Sequence, residues 1–192
     1  VVSTAHPLAT KAAEKMYALG GNSVDAAVAA SFVLSVVEPT MSGLGGRSLA
    51  LVRTPDGEFH GYNGMTEIPN SFSKLEGMPS FGYSTIATPG TVAMLGDLHK
   101  RHGSLEFSAL LQPAIQLSKD GFVLLQGEAS RQASVVEKIK QNRGMMEFFL
   151  QKDGHTTAPG EKLKQPILAK TLNRIALKGY QDFYEGDIGT QI

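Results

Sequence analysis

Cysteine is absent from the 192-residue sequence. A chain without cysteine can form no disulfide bond and no zinc–thiolate site, and it offers no thiol as a nucleophile. Cysteine usage therefore does not indicate whether the protein works in an oxidising or a reducing compartment.

The sequence also lacks an excess of charge of either sign, because Lys and Arg together number 18 and Asp and Glu together number 18. Binding to nucleic acid or to an anionic membrane surface requires a surplus of positive charge. We therefore expect neither nucleic acid nor a membrane among the partners of this chain.

Long hydrophobic runs are missing as well. The most apolar stretch covers residues 26–37 and is interrupted by Ser31 and Ser35, so it falls short of the roughly 20 residues that span a bilayer. It predicts a buried helix instead. The sequence starts at Val1 without a basic leader pattern, so we expect a protein that is either cytoplasmic or secreted or periplasmic after removal of a leader.

The composition is that of an ordinary folded protein, with 42% hydrophobic and 19% charged residues. Together with the length, it predicts one compact domain over residues 1–192. Apolar residues at helical spacing, bounded by Pro, Asn and Gly, predict most of the chain to be helical. The predicted helices cover 7–19, the stretch from Asn22 to Glu38-Pro39, the stretch between Gly90 and Gly103, 108–120, 128–141, 145–150 and 166–178.

Two strands are predicted around the turn-forming sequence Thr-Pro-Asp-Gly at 54–57. Residues 49–52 and 58–62 then form a β-hairpin. Because 49–52 is apolar on both faces, we expect a central strand there. An irregular region follows from Met65 to about Tyr83. Helices on both sides of a hairpin predict strands covered by helices rather than alternating βαβ units.

Three motifs invite a chemical interpretation, and each has a simpler one. Gly-Leu-Gly-Gly at 43–46 precedes a strand, whereas a dinucleotide loop follows one, so a structural turn is favoured. Ser48 enters a strand and does not occupy the strand-to-helix turn of a nucleophile elbow. His99 and His102 could share a metal ion, but cations near a helix C-terminus are favourable by themselves. We interpret both histidines as solvated and expect no metal site.

Several short motifs nevertheless follow one another in a specific order. They are His-Pro-Leu-Ala at 6–9, Gly-Gly-Asn-Ser-Val-Asp-Ala-Ala-Val-Ala-Ala at 20–30, Val-Glu-Pro at 37–39, Ser-Gly-Leu-Gly-Gly at 42–46, Thr-Pro-Gly at 88–90 and Phe-Tyr-Glu-Gly at 183–186. In sequence and order these motifs resemble the large subunit of the γ-glutamyltranspeptidase family, within the N-terminal nucleophile hydrolases. The resemblance extends over essentially the whole chain.

The resemblance implies an α+β fold, the αββα sandwich of the N-terminal nucleophile hydrolase type, of which this chain supplies the helix-rich large-subunit part. It implies a γ-glutamyltransferase or amidohydrolase of glutathione metabolism, made as a proenzyme that cleaves itself into two subunits. The small subunit begins with a threonine, whose hydroxyl attacks a γ-glutamyl amide while its own amine acts as the base. The acyl group then passes to water or to an amine, and no cofactor is implied.

The threonine itself is not in this chain, because no segment resembles the Thr-Thr-His start of the small subunit. We therefore expect no catalytic residue here and no activity of this chain alone. The expected partners are a small subunit that carries the nucleophile and a small-molecule γ-glutamyl or acyl amide substrate.

Met65 departs from the family pattern, because it stands where the resemblance places an arginine that pairs with the α-carboxylate of the substrate. A thioether cannot form such a pair. Arg47 stands in the glycine-rich loop, where the family usually has glycine. One hypothesis is that Arg47 supplies the missing charge, and the alternative is a solvent-facing Arg47. Met65 and Arg47 are therefore the candidate substrate-binding residues.

Two further functions stay open at this stage. An acylase or amidase of the same superfamily, acting on an acyl amide other than a γ-glutamyl one, would suit an apolar residue at Met65. A degenerate homologue without catalytic activity would instead bind a small acid or a protein.

Overall fold

The computed structural model describes residues 1–70, 72 and 81–191. The helices are α1 (Pro7–Ala18), α2 (Ser23–Val37), α3 (Thr91–His102), α4 (Phe107–Asp120), α5 (Gln126–Ser134), α6 (Val136–Ile139), α7 (Arg143–Phe149), α8 (Pro166–Lys178), α9 (Asp182–Glu185) and α10 (Asp187–Gln191). The strands are β1 (Ser48–Arg53), β2 (Phe59–Gly64), β3 (Phe122–Val123) and β4 (Lys162–Leu163), and a 3-10 turn covers Tyr83–Thr85.

Helices α1 and α2 begin at the residues that the sequence marks. The Nδ1 atom of His6 accepts from the Leu8 backbone N–H at 3.1 Å, and Pro7 takes the first helical position, where no N–H is needed. Asn22 caps α2, because its side chain accepts from the Asp25 N–H at 3.1 Å. The Asp25 carboxylate in turn accepts from the Asn22 N–H at 2.9 Å. This capping box gives hydrogen-bond acceptors to backbone N–H groups at the start of α2 from neighbouring residues.

Helix α2 is buried on nearly every side, as its apolar sequence predicts. Val28, Phe32 and Val36 are completely buried, and α2 packs against α1, α3 and α4, while α4 packs in turn against α8. Gln165, just before α8, donates from its side chain to the Val36 carbonyl at 2.6 Å. One of the last carbonyls of α2, which has no partner within the helix, is thereby satisfied.

Strands β1 and β2 form an antiparallel hairpin in which Ser48 pairs with Gly64. The hairpin packs against α3, but Leu49 and Leu51 are 70% and 72% exposed. The expectation of a central first strand is therefore wrong for the described part of the chain, in which β1 pairs with β2 alone. The apolar outer face of β1 is uncovered here.

The later elements differ from the prediction in two respects. The predicted helix 128–141 is divided into α5 and α6, and α9 and α10 were not predicted. Strands β3 and β4 pair with each other, and two-residue strands leave no periodic signal in a sequence.

Part of the irregular region that was predicted to end near Tyr83 lies outside the described residues, namely 71 and 73–80. Within the ranges that are described, no helix is both long and apolar enough to cross a membrane. The helix with the most apolar sequence, α2, has 15 residues.

The Asp25 carboxylate joins the start of α2 to the loop between α3 and α4. It is fully buried and accepts hydrogen bonds from the Asn22 N–H, from the Ser104 N–H and hydroxyl, and from the Leu105 N–H. Burial would raise the pKa of Asp25, but these hydrogen bonds, that of the Ser104 hydroxyl foremost, hold it below its ordinary value. The carboxylate therefore stays ionised inside the protein.

Replacing Asp25 with alanine should lower the free energy of unfolding by about 3 to 5 kcal/mol, because several buried donors lose a charged acceptor. As a matched control, Asp97→Ala removes a more exposed carboxylate, which pairs with Arg101 at 2.9 Å, and should cost about 1 kcal/mol or less. Urea denaturation of both variants measures the difference. Equal losses in the two variants would contradict this role of Asp25.

His6 is 2% exposed and packs edge-on against Phe122. Because its Nδ1 accepts from Leu8, the neutral ring carries its proton on Nε2, which has no acceptor among the described residues. Burial lowers the pKa of His6 from its ordinary value, and the carboxylates of Glu38 and Glu128 act in the opposite direction without outweighing it. The folded protein therefore favours the neutral imidazole.

The free energy of unfolding should consequently fall on acidification. The contribution of neutral His6 is fully present above its unfolded pKa of 6.5, and it is lost as the pH falls from there through the lower folded pKa. The slope is at most about 1.4 kcal/mol per pH unit. In His6→Asn, which keeps a capping acceptor for α1, this slope should disappear, whereas His155→Asn in an exposed turn should retain it.

Unfolding free energies measured between about pH 7.5 and 5 test this prediction. The slope of the unfolding free energy with pH is the quantity compared, since the smaller asparagine also changes the absolute stability through packing. Parallel curves for the parent protein and His6→Asn would show that His6 does not titrate in the way its burial requires.

Candidate functional site

The two candidate substrate-binding residues lie at the same end of the hairpin. Ser48 and Gly64 form the last pair of the ladder at that end. Arg47 directly precedes β1, and Met65 directly follows β2. The register therefore brings together two positions that are separated in sequence by the whole hairpin.

The start of α3 holds the segments beside both strands in place at this end of the hairpin. The Gly46 carbonyl accepts from the Gly90 N–H at 3.2 Å and from the Thr91 N–H at 3.3 Å. The carbonyl oxygens of Gly64 and Met65 approach Gly90 so closely that a Cβ atom there would collide with both. Position 90 therefore needs glycine, since any side chain would separate the hairpin from α3.

A cavity of about 660 Å³ opens beside the glycine-rich loop, and we call it the loop cavity. It is lined by the C-terminal half of α2, by residues 39–43, 45 and 46, and by Arg47, Ser48 and Thr91. Among the described residues, Arg47 is the one charged residue in this lining. The hydroxyl-bearing residues of the lining are Ser31, Ser35, Thr40, Ser42, Ser48 and Thr91. Its volume is within the range of small-molecule sites.

The turn that precedes the glycine-rich loop is anchored to α5. The buried Glu128 carboxylate accepts from the Thr40 hydroxyl at 2.6 Å and from Arg131 at 3.0 Å. Arg131 also donates from Nε to the Thr40 hydroxyl at 2.9 Å, and Gln132 donates to Glu128 at 2.9 Å. These bonds fix Thr40 in the wall of the loop cavity.

Met65 is 41% exposed and does not line the loop cavity. Its backbone N–H donates to the Asn63 side chain at 3.0 Å, and Glu67 and Thr88 exchange backbone hydrogen bonds of 3.0 and 2.8 Å just beyond it. The backbone on both sides of Met65 is therefore held in place, while its thioether lies at the surface.

Arg47 is exposed, as the alternative interpretation of this residue expected. It also lines the loop cavity, so exposure and a binding role are compatible. The lining has a guanidinium group and hydroxyls but, within the described ranges, no carboxylate. Such a lining can bind an anionic group.

A larger cavity of about 770 Å³ lies between α7 and the start of α8. Its lining is mainly apolar and includes Phe148, Phe149 and Ile167. Neither Arg47 nor Met65 lines it. The residues with a chemical rationale therefore favour the loop cavity as the candidate site.

The interpretation of His99 and His102 as solvated is wrong. His99 donates from Nε2 to the Leu105 carbonyl at 2.7 Å, and the Nε2 atom of His102 forms a hydrogen bond with the Tyr62 hydroxyl at 2.6 Å. The two histidines tie α3 to the following loop and to β2. Across residues 1–70, 72 and 81–191, no group of three metal-ligating side chains is placed to hold a metal ion.

Sequence reasoning singled out Arg47 and the glycine-rich loop but missed the other walls of the loop cavity. Thr40 lies in the loop after α2 and is bonded to Glu128 of α5, and Thr91 begins α3. No local pattern marks them, because their proximity arises only when α3 and α5 pack beside the loop. The Thr-Pro-Gly motif at 88–90 was the one signal of a special backbone at the start of α3.

Both the sequence and the fold of this chain resemble known proteins. The sequence model of the family described as Gamma-glutamyltranspeptidase matches residues 9–192. A Glutathione hydrolase proenzyme from Pseudomonas aeruginosa is 34% identical over 186 residues, which cover 92% of this chain and 32% of that protein. The chain spans about a third of the length of the curated relatives it matches, namely 35%, 31% and 32% of three of them.

Solved structures resemble the fold closely. The crystal structure of Helicobacter pylori gamma-glutamyltranspeptidase superposes with a TM-score of 0.94 and 30% identity over 98% of this chain and 57% of that one. Cephalosporin acylase from Bacillus halodurans gives a TM-score of 0.90 and 28% identity over 97% of this chain and 37% of that one. The predicted α+β class of the N-terminal nucleophile hydrolases is confirmed, and this chain belongs to the gamma-glutamyltranspeptidase family.

Proposed function

We propose that residues 1–192 form one domain, part of the large subunit of a γ-glutamyltranspeptidase-like amidohydrolase whose nucleophile is a threonine on a small subunit. The observation that carries this proposal is the likeness to the Helicobacter pylori enzyme over 98% of the chain at a TM-score of 0.94. Because the chain covers 32% of the Pseudomonas aeruginosa Glutathione hydrolase proenzyme, most of the length of such a protein remains for the segment that would carry the nucleophile.

The uncovered face of the hairpin supports the proposal that a partner subunit packs against this chain. Leu49, Leu51 and Phe59 are all strongly exposed and lie on the two strands of one sheet. An exposed group of large apolar side chains on a sheet is typical of a surface that another element covers. In the proposed enzyme the small subunit packs there and completes the sandwich.

The proposed reaction proceeds through an acyl-enzyme. The threonine hydroxyl attacks the amide carbonyl while the α-amino group of the same residue takes the hydroxyl proton. Backbone N–H groups stabilise the oxyanion. The C–N bond then breaks, the amine leaves with the proton, and the acyl group stays on the threonine as an ester. Water or an acceptor amine removes it, and the proton transfers need no metal or cofactor.

Met65 supports an acylase or amidase as the second candidate within this chemistry. A thioether forms no ion pair with a carboxylate, so an acyl group without the α-carboxylate of glutamate suits this position better. The similarity to a cephalosporin acylase, with a TM-score of 0.90, supports an acylase as a candidate.

Intact-mass measurement of the purified native protein under denaturing conditions tests the two-subunit proposal. We expect a polypeptide that contains this chain and a companion that N-terminal sequencing shows to begin with threonine, because a free amine beside the hydroxyl is what activates the nucleophile. Unprocessed material that is inert toward amides would favour a degenerate binding homologue instead.

Met65→Arg tests the role of this position in substrate choice. Relative to pentanoyl p-nitroanilide, which has the same chain length but no carboxylate, kcat/KM for γ-glutamyl p-nitroanilide should rise about 10-fold or more, since a guanidinium can pair with the α-carboxylate. Met146→Arg adds the same charge at an exposed position of α7 and should leave the ratio unchanged. An unchanged ratio in Met65→Arg, with the fold intact, would remove Met65 from the substrate site.

A further inference from the structure

Glu128 is a buried carboxylate that the proposed reaction does not use. It is 2% exposed and lies in the first turn of α5. Taking an ionised carboxylate out of water is costly unless donors surround it. An apolar side chain of similar size would fill the same space without that cost. A buried charge that the packing of the core does not require points to a specific task for Glu128.

Both carboxylate oxygens of Glu128 bind Thr40. Oε1 accepts from the Thr40 N–H at 3.3 Å and from Gln132 at 2.9 Å. Oε2 accepts from the Thr40 hydroxyl at 2.6 Å and from Arg131 at 3.0 Å. Arg131 also donates to the Thr40 hydroxyl at 2.9 Å and lies 3.7 Å from the Glu38 carboxylate. Helix α5 therefore holds the segment directly after α2 by its backbone and by a side chain.

Residues 40–43 depend on this contact for their position. The Glu38 carbonyl accepts from the Met41 and Ser42 N–H groups at 3.0 and 2.8 Å, which closes a local turn. Within the described part of the chain, the hydrogen bonds from 40–43 to other helices or strands are those of Thr40 to α5. All four residues line the loop cavity. Without α5 they would be a surface turn that can shift as a unit.

The contact lies at the edge of the fold and not at its centre. Thr40 is exposed, and the Arg131 side chain is 37% exposed. Water can therefore replace the carboxylate as the partner of both groups. The main hydrophobic core is built around α2 and includes neither residue. Loss of the contact should displace the turn while the protein stays folded.

We infer that Glu128 is a positioning residue of the proposed enzyme, which acts through Thr40 to fix residues 40–43 in the arrangement that receives the substrate. Glu128 does not line the loop cavity itself, so its effect on binding passes through Thr40. A wall that is held before binding does not have to be ordered by the substrate, and affinity rises accordingly. The inference rests on the proposed amide-cleaving function.

The kinetic test uses the complete native protein and whichever of γ-glutamyl and glutaryl p-nitroanilide it cleaves faster. Glu128→Gln keeps the size of the side chain but adds N–H donors where donors already surround it. It should raise KM about 10-fold while kcat stays within about 2-fold, since a displaced wall weakens ground-state and transition-state binding alike. The matched control Glu137→Gln removes an exposed carboxylate of α6, which pairs with Lys140 at 2.7 Å, and should leave KM unchanged. An unchanged KM in Glu128→Gln would overturn the inference.

Variants of Thr40 test the route by which Glu128 acts. Thr40→Val keeps the shape without the hydroxyl and should raise KM to a similar extent, whereas Thr40→Ser keeps the hydroxyl and should restore most of the affinity. The double variant Thr40→Val/Glu128→Gln should raise KM no further than either single change, since both break one contact. Effects that multiply would overturn the inference. Because Thr40 is exposed, its variants fold even where Glu128→Gln does not.

Hydrogen–deuterium exchange of the native protein without substrate separates this inference from the proposed function. The Met41 and Ser42 N–H groups should exchange about 5-fold faster or more in Glu128→Gln than in the parent, because the turn opens more often, and at the parent rate in Glu137→Gln. Faster exchange in a protein inert toward amides would support the positioning role while overturning the function. Amide cleavage with parent exchange rates in Glu128→Gln would do the reverse.

Discussion

Helix α2 carries apolar side chains on all sides, and burying them is the constraint on which the rest of the structure depends. A helix of this kind is stable only when other elements surround it, and α1, α3 and α4 do so. Its polar ends are satisfied by distant segments, because Asp25 binds the loop after α3 and the Val36 carbonyl binds Gln165. The packing of α2 therefore decides where it ends and where the glycine-rich loop begins.

The loop cavity follows from that arrangement. Since α2 ends beside the hairpin, its last turns form one wall, and the start of α3 closes another through the Gly46 carbonyl. The fold thus builds a recess in which Arg47 is the one guanidinium among the described lining residues, while the apolar outer face of the hairpin stays open. The recess and the uncovered surface thus lie beside the same hairpin.

Local signals in the sequence predicted the elements that depend on neighbouring residues. Pro7 and Asn22 mark helix starts because caps act within a few residues, and the hairpin follows from its turn. The division between α5 and α6 and the pairing of β3 with β4 were not predictable in this way, because short elements carry no periodic signal. The histidines were misread for a related reason, since the hydrogen bond of His102 to Tyr62 joins residues 40 positions apart.

By itself, the sequence determined the family, the main helices, the hairpin and the presence of an unusual Met65 and Arg47, because ordered motifs and local periodicity are written along the chain. Only the tertiary structure decided that Arg47 lines a hydroxyl-rich cavity, that Ser48 is buried there without a partner, and that Met65 stays outside it. The physical reason is that these relations depend on the register of the hairpin and on the contact of its end with Gly90. They form only when distant segments pack together.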